Sequence, residues 1–194
     1  MKRICVFCGS RTGAAAIYAV AARHLGETLT QRGLELVFGG GHIGLMGVLA
    51  DAVLAGGGKV TGVIPQALVD KELAHKGCTR LHIVKTMHER QAVMADLSDG
   101  FIALPGAFGT ADEFFEILTW AQLGIHAKPA GLLNVAGFFS PLLSWLDLAA
   151  KEGFLKAKHR SLLVEANDVV QLLDMLAEYR PPAVTPKWAQ ETER

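Results

Sequence analysis

Short apolar runs alternate with longer amphipathic stretches along the 194 residues of this chain, and no other feature constrains the fold as strongly. The runs at 34–38 and 130–133 are mostly apolar, without regular polar positions, which is typical of strands buried on both faces of a parallel sheet. This alternation predicts an α/β fold, a three-layer sandwich with helices on both faces of a mostly parallel sheet. Strands are predicted near 3–8, 34–38, 59–64, 80–84, 100–104 and 129–133, and helices near 15–32, 44–56, 86–97, 110–123, 139–151 and 168–178.

Composition and charge narrow the class of protein. A hydrophobic fraction of 51% with 20% charged residues is ample for a buried core. No run reaches the roughly 18 to 20 apolar residues that span a bilayer, and Met1–Arg3 leads into a strand instead of a signal-peptide core, so a cytoplasmic location and no membrane partner are expected. Lysine plus arginine (19) balance aspartate plus glutamate (19), which argues against nucleic acid as a partner.

Three glycine-rich segments follow predicted strands, at 9–13, 39–47 and 105–110. Ligands of open α/β sheets bind outside the carboxyl ends of the strands, so these loops are expected to frame one cleft. The pattern predicts a single Rossmann-like nucleotide-binding domain over residues 1–180 and a flexible, Pro-containing tail over 181–194. The candidate cleft residues in the first two loops are Gly9, Ser10, Gly40, Gly41, Gly44 and Met46.

The third of these segments combines a glycine loop with a helix start and an acid. Gly106 and Gly109 allow a ligand to approach the backbone, and the free N–H groups of the following helix suit a phosphate. Glu113 lies in the first turn beside that anion site, which suggests chemistry on a phosphorylated molecule. An alternative stays open, because Thr110-x-x-Glu113 also has the form of a capping box, in which the two side chains bind backbone N–H groups.

The helix predicted before this loop carries an arginine between two methionines. Met87, Arg90 and Met94 share one helical face. The guanidinium either extends to solvent at the edge of the core or points into a partly dry cleft, where it would bind a phosphate or a carboxylate. Residue patterns do not decide between these two positions.

Several cofactor and metal chemistries are excluded by spacing. The first loop lacks the Gly-x-Gly-x-x-Gly fingerprint of dinucleotide enzymes, and no segment ends in the Gly-Lys-Ser or Gly-Lys-Thr of a phosphate-binding P-loop. Cys5 and Cys8 lie in a strand pattern, where residues three apart face opposite sides, so both are expected to be buried thiols and not a redox or zinc pair. No cofactor and no metal are expected.

These segments, taken in order, resemble the LOG (Lonely Guy) phosphoribohydrolases, a family long labelled lysine decarboxylases, over nearly the whole chain. The resemblance implies hydrolysis of the N-glycosidic bond of a nucleoside 5′-monophosphate, such as a cytokinin nucleotide or AMP, to free base and ribose 5-phosphate. True lysine decarboxylation would need a pyridoxal phosphate lysine, and no lysine lies near these loops. The matching segments are Cys8-Gly9-Ser10, Gly39 to Gly47, Met87-His88-x-Arg90, Pro105 to Glu113 and Thr119 to His126.

The resemblance also implies roles for individual residues. Arg90 and Glu113 match the catalytic pair of the family. Two positions depart from its pattern: Ala107 replaces a glycine, which is expected to narrow the loop, and Gln91 replaces a lysine, which removes a charge that would aid phosphate binding. The implied substrate contacts are Glu72, Gln91, Gly106, Ala107, Phe108, Gly109, Thr110, Ala111, Asp112 and Thr119, with Met87 as a further cleft residue.

Two broader expectations complete the sequence-based interpretation. The mean hydropathy of +0.29 and the apolar excess of the helical patterns 14–29 and 114–123 favour a homodimer. The competing function is that of a non-catalytic protein of the same fold, which binds or carries a nucleotide or a phosphorylated cofactor without reacting with it. Both functions use the same glycine loops, so binding alone does not separate them.

Overall fold

Seven parallel strands form the sheet in the computed structural model, which describes residues 1–71 and 73–182. The strand order is β4-β3-β2-β1-β5-β6-β7. All six neighbouring pairs are parallel, so the prediction of a mostly parallel sheet is confirmed. The strands are β1 Arg3–Phe7, β2 Glu35–Phe38, β3 Val60–Pro65, β4 Arg80–Val84, β5 Gly100–Ala103, β6 Ala130–Leu133 and β7 Leu163–Ala166.

Helices cover both faces of the sheet and divide the core into two halves. Helices α1, α2 and α8 pack on one face, and α4, α5 and α6 pack on the other. A 3-10 turn at Val135–Gly137 precedes α6. The helices are α1 Ala16–Gln31, α2 Gly44–Ala55, α3 Gln66–Val69, α4 Met87–Leu97, α5 Phe108–Gln122, α6 Ser140–Lys151, α7 Ala157–Arg160 and α8 Val169–Glu178.

Cys5 in β1 and Cys8, the residue after this strand, show how strand geometry assigns residues to these two halves. Cys5 packs in the half formed with α4, α5 and α6, whereas Cys8 packs in the half formed with α1, α2 and α8. Both thiols are buried and free. The prediction of two buried thiols facing opposite sides is therefore confirmed.

Three of the strands and α-helices were not predicted. Strand β7 lies at the edge of the sheet, contains Glu165 and is only partly buried, so it lacks the continuous apolar run that marks the inner strands. The helices α3 and α7 have four residues each, too few for a helical period to repeat. None of the helices in the described part of the chain is long and apolar enough to cross a membrane.

The strand order places a crevice at a defined position. Strand β1 lies between β2 and β5, and the chain extends the sheet first on the β2 side and then on the β5 side. Loops that leave the carboxyl ends of β1 and β5 therefore diverge toward opposite faces, which opens a crevice at this topological switch point. The two loops concerned are the first and third glycine-rich segments.

Candidate active site

Backbone hydrogen bonds join the three glycine loops at the switch point. The N–H of Gly9 donates to the carbonyl of Pro105 over 3.0 Å, and the N–H of Leu45 donates to the carbonyl of Gly9 over 3.0 Å. Gly44 has φ +62°, and a Cβ there would overlap with the Ser10 backbone. The first loop is thus held between the start of α2 and the loop after β5.

These loops enclose a cavity of about 510 Å³. Tyr18 and Phe138 supply aromatic rings to its wall, and the two rings meet edge to face with centroids 5.8 Å apart. The predicted site residues that line the cavity are Gly9, Ser10, Met46, Arg90, Gly106, Ala107, Gly109, Thr110 and Glu113.

A buried ion pair forms part of the cavity wall. Nη1 of Arg90 donates to Oε1 of Glu113 over 2.5 Å, and Nε of Arg90 donates to the carbonyl of Val63 over 3.1 Å. The exposed fractions of the two side chains are only 10% and 11%. The guanidinium therefore points into the cleft, and the alternative of an arginine that extends to solvent is wrong.

The capping-box interpretation of this segment is also wrong. Helix α5 begins at Phe108, its N-cap residue is Ala107, and no side chain caps it. The N–H of Ala111 already donates to the carbonyl of Ala107 over 3.0 Å, so Thr110 lies inside the first turn and not before it. In a capping box the acid occupies the third helical position, which is Thr110 in this helix. Glu113 lies about one turn after that position, and its carboxylate accepts a hydrogen bond from Arg90.

Burial and the ion pair act in opposite directions on Glu113. Desolvation raises the pKa of this carboxyl above its usual value, and the charge and hydrogen bond of Arg90 lower it and so offset part of the increase. A carboxyl group with a raised pKa, held by a cation at a cavity, is suited to proton transfer or to stabilising positive charge.

The first turn of α5 borders the same cavity. Gly109 and Thr110 line it, and the free N–H groups of this turn, together with the positive end of the helix dipole, suit an anion. A Cβ at Gly106 would overlap with Oγ1 of Thr110, so this close approach requires glycine. Ala107 has φ −118°, so it does not adopt the left-handed conformation that favours glycine.

Two implied substrate contacts point elsewhere. Gln91 is buried, and its Nε2 donates to the backbone carbonyl of Glu113 over 2.8 Å. This side chain therefore joins α4 to α5 and does not line the cavity, so its lack of charge has no direct bearing on an anion there. Thr119 is exposed, and its hydroxyl donates to the carbonyl of Phe115 over 2.7 Å.

The remaining candidates that the structure describes lie outside the cavity wall. Gly40 and Gly41 are buried behind it, and Gly44 packs against the first loop. Glu72 lies outside the described residues. The exposed candidates on α4 and α5 are Met87, Phe108, Ala111 and Asp112.

Sequence reasoning missed several residues of the wall. Arg11 and Thr12 belong to the first glycine loop, so their place in that loop was an available signal. Tyr18, Gly39 and Phe138 also line the cavity. Phe138 follows the 3-10 turn after β6, and nothing in its local sequence marks it as a cavity residue. Within residues 1–71 and 73–182, no group of three or more His, Cys, Asp or Glu is arranged to hold a metal ion.

Solved structures share this fold at low sequence identity. The molybdenum cofactor carrier protein of Chlamydomonas reinhardtii superposes with a TM-score of 0.69 at 20% identity, covering 92% of this chain and 99% of that protein. The molybdenum cofactor binding protein of Rippkaea orientalis also gives 0.69, at 19% identity, covering 91% and 96%. These similarities establish the fold alone.

Sequence comparison is more specific. The sequence model of a family described as "possible lysine decarboxylase" matches residues 46–176. The cytokinin riboside 5′-monophosphate phosphoribohydrolase LOG of Oryza sativa subsp. japonica is 49% identical over 93% of this chain and 74% of its own length. A cytokinin riboside 5′-monophosphate phosphoribohydrolase of Arabidopsis thaliana is 48% identical over 100% of this chain and 91% of its own length. The chain therefore belongs to the LOG family.

Proposed function

We propose that this protein hydrolyses the N-glycosidic bond of a nucleoside 5′-monophosphate and releases the free base and ribose 5-phosphate. The observation that carries this proposal is the buried Arg90–Glu113 pair on the wall of a cavity that also borders the start of α5. The names of relatives that are 48% and 49% identical support a cytokinin riboside 5′-monophosphate as the substrate.

Bond cleavage creates the charge that Glu113 is placed to meet. As the bond from C1′ to the base nitrogen breaks, the base leaves with the electron pair and C1′ gains oxocarbenium character. The carboxylate stabilises this cation and either attacks C1′ itself or takes a proton from the attacking water. In the net reaction, hydroxide from water joins C1′ and the remaining proton joins the base. Arg90 favours the ionised carboxylate and fixes its orientation.

Substrate positioning comes from the anion site. We assign the 5′-phosphate to the first turn of α5, with Arg11 of the first loop as a cation that lines the same cavity. The 5′-phosphate is remote from the bond that breaks, and its binding orients the sugar so that C1′ is correctly placed for the reaction. This assignment predicts that nucleosides without the phosphate react far more slowly than the monophosphates.

The carrier alternative fits the fold but not the chemistry of the wall. The solved structures named as a cofactor carrier and a cofactor binder share this fold with TM-scores of 0.69. Binding alone, however, requires no carboxylate with a raised pKa beside the anion site. A carrier binds its nucleotide without releasing base, so product analysis separates the two functions.

We also propose a homodimer and retain the prediction of a cytoplasmic location. Helix α1 leaves Ile17 and Val20 exposed, and the edge strand β4 leaves Leu81 and Ile83 exposed. A second copy of the chain would bury such side chains. Sedimentation at micromolar protein concentration tests the dimer.

The decisive experiment measures base release by chromatography from a panel of nucleoside monophosphates, including AMP and an N6-prenylated AMP. The matching nucleosides serve as controls for the phosphate. The Glu113→Gln variant keeps the size of the side chain and one acceptor oxygen for Arg90 but not the charge, and we expect base release to fall by about 100-fold or more. Binding without base release by the wild-type protein would refute the enzyme and favour the carrier.

A further inference from the structure

Gly39 lies where β2 ends, directly beside the guanidinium of Arg90. Its φ is not in the left-handed region, so its backbone conformation is open to any residue. A Cβ built at this position, however, would overlap with Nη2 of Arg90 and lie 3.0 Å from its Cζ. The requirement for glycine here therefore comes from the neighbouring side chain and not from the backbone.

The guanidinium has little freedom to yield to such a Cβ. Its Nε is bound to the carbonyl of Val63 and its Nη1 to Glu113. The Sδ of Met46 would lie 3.4 Å from the same Cβ, which restricts movement on that side. A methyl group at residue 39 would force Arg90 to release one of its two partners.

We propose that Gly39 is a positioning residue for the reaction, whose missing side chain creates the space in which Arg90 reaches Glu113. Its effect on catalysis is transmitted through Arg90, which holds the carboxylate ionised and oriented. The activity readout of this proposal rests on the proposed function, whereas the positions of residue 90 and Glu113 can be measured without it.

The test is the Gly39→Ala variant, assayed for base release as a function of pH. Displacement of the guanidinium removes the charge that offsets the desolvation of Glu113, so the pKa of this carboxyl rises further. We expect kcat/KM near neutral pH to fall about tenfold or more, the acidic limb of the profile to move to higher pH, and activity to recover partly in base.

Gly56, the residue after the last turn of α2, provides a matched control. Gly56 has φ −80°, and the three atoms nearest to a Cβ there all belong to the Thr30 side chain, at 3.0 Å or more. Gly56→Ala is expected to keep the wild-type pH profile. A wild-type profile for Gly39→Ala, or a loss of activity that is equal at every pH, would overturn the proposal.

A folding failure of Gly39→Ala is also informative. If the overlap with the guanidinium is the cause, Arg90→Lys in the same chain removes the obstruction and restores a folded protein. A double variant that remains unfolded would contradict the proposal. A crystal structure of Gly39→Ala with the Arg90–Glu113 bond intact would contradict it too, whatever the activity. If the wild-type protein releases no base from any nucleotide, the proposed function fails, while this structural result still decides the role of Gly39.

Discussion

Replacement of Arg90 by methionine would test the central pair most directly. Methionine keeps an unbranched apolar stem and removes the hydrogen bonds of the guanidinium to Glu113 and to Val63. Both partners of the pair are about nine-tenths buried, and breaking a buried ion pair by removing one partner costs about 3–5 kcal/mol. The stranded carboxyl can reduce this cost by taking up a proton.

That proton uptake gives the variant a defined dependence on pH. The pKa of Glu113, already raised by burial, rises further without Arg90, while the unfolded chain has its ordinary value near 4.3. Between these two values the folded state binds more protons than the unfolded state, so stability falls as pH rises, by about 1.4 kcal/mol per pH unit. Between about pH 5 and about pH 7 the variant should therefore lose stability, by at most about 1.4 kcal/mol for each pH unit below the folded-state pKa of Glu113.

Urea unfolding followed by circular dichroism measures this loss. The wild-type protein should lose less over the same interval, because Arg90 keeps the folded-state pKa of Glu113 closer to its ordinary value. The double variant Arg90→Met/Glu113→Gln has no carboxyl at this position and should show no such slope beyond that of Glu113→Gln alone. If Arg90→Met is destabilised relative to the wild type by the same amount at both pH values, the coupling between the two side chains is refuted.

Three further predictions follow from single contacts. The acidic limb of the wild-type pH profile of kcat/KM should lie above the ordinary glutamate pKa of about 4.3, because the pKa of Glu113 is raised and this carboxyl takes up a proton as pH falls. A limb at or below that value would contradict this origin. Gln91→Leu removes the donor to the carbonyl of Glu113 and should lower the free energy of unfolding by about 1 kcal/mol, or the melting temperature by about 2–4 °C, whereas an unchanged melting temperature would show that the bond contributes nothing. Burial raises the pKa of the Cys5 and Cys8 thiols, so alkylation of the folded protein near pH 8 should be slow and become complete only in denaturant. Rapid labelling of Cys5 without denaturant would mean that β1 opens.

The outline of the site was predictable because its signals are local. Glycines that follow apolar runs mark loops at the ends of strands, and Glu113 stands a few residues after such a loop. The parallel sheet brings those loops together, so the expectation of one cleft needed only the strand pattern. The contact made by the Gln91 side chain was not predictable, since a side chain next to a cleft residue can face the cleft or the neighbouring helix.

The sequence by itself determined the alternating elements, the glycine loops at the carboxyl edge and the opposite facing of Cys5 and Cys8, because strand and helix periods repeat every few residues. The family resemblance paired Arg90 with Glu113, but residue patterns left the direction of the guanidinium open. Tertiary structure decided that it meets Glu113, 23 positions away, and that α5 begins before Thr110. It also decided that Gly39 must leave room for the guanidinium. Such contacts depend on the register and spacing of β2, α4 and α5, and local patterns carry no information about the distance between elements that are remote in the chain.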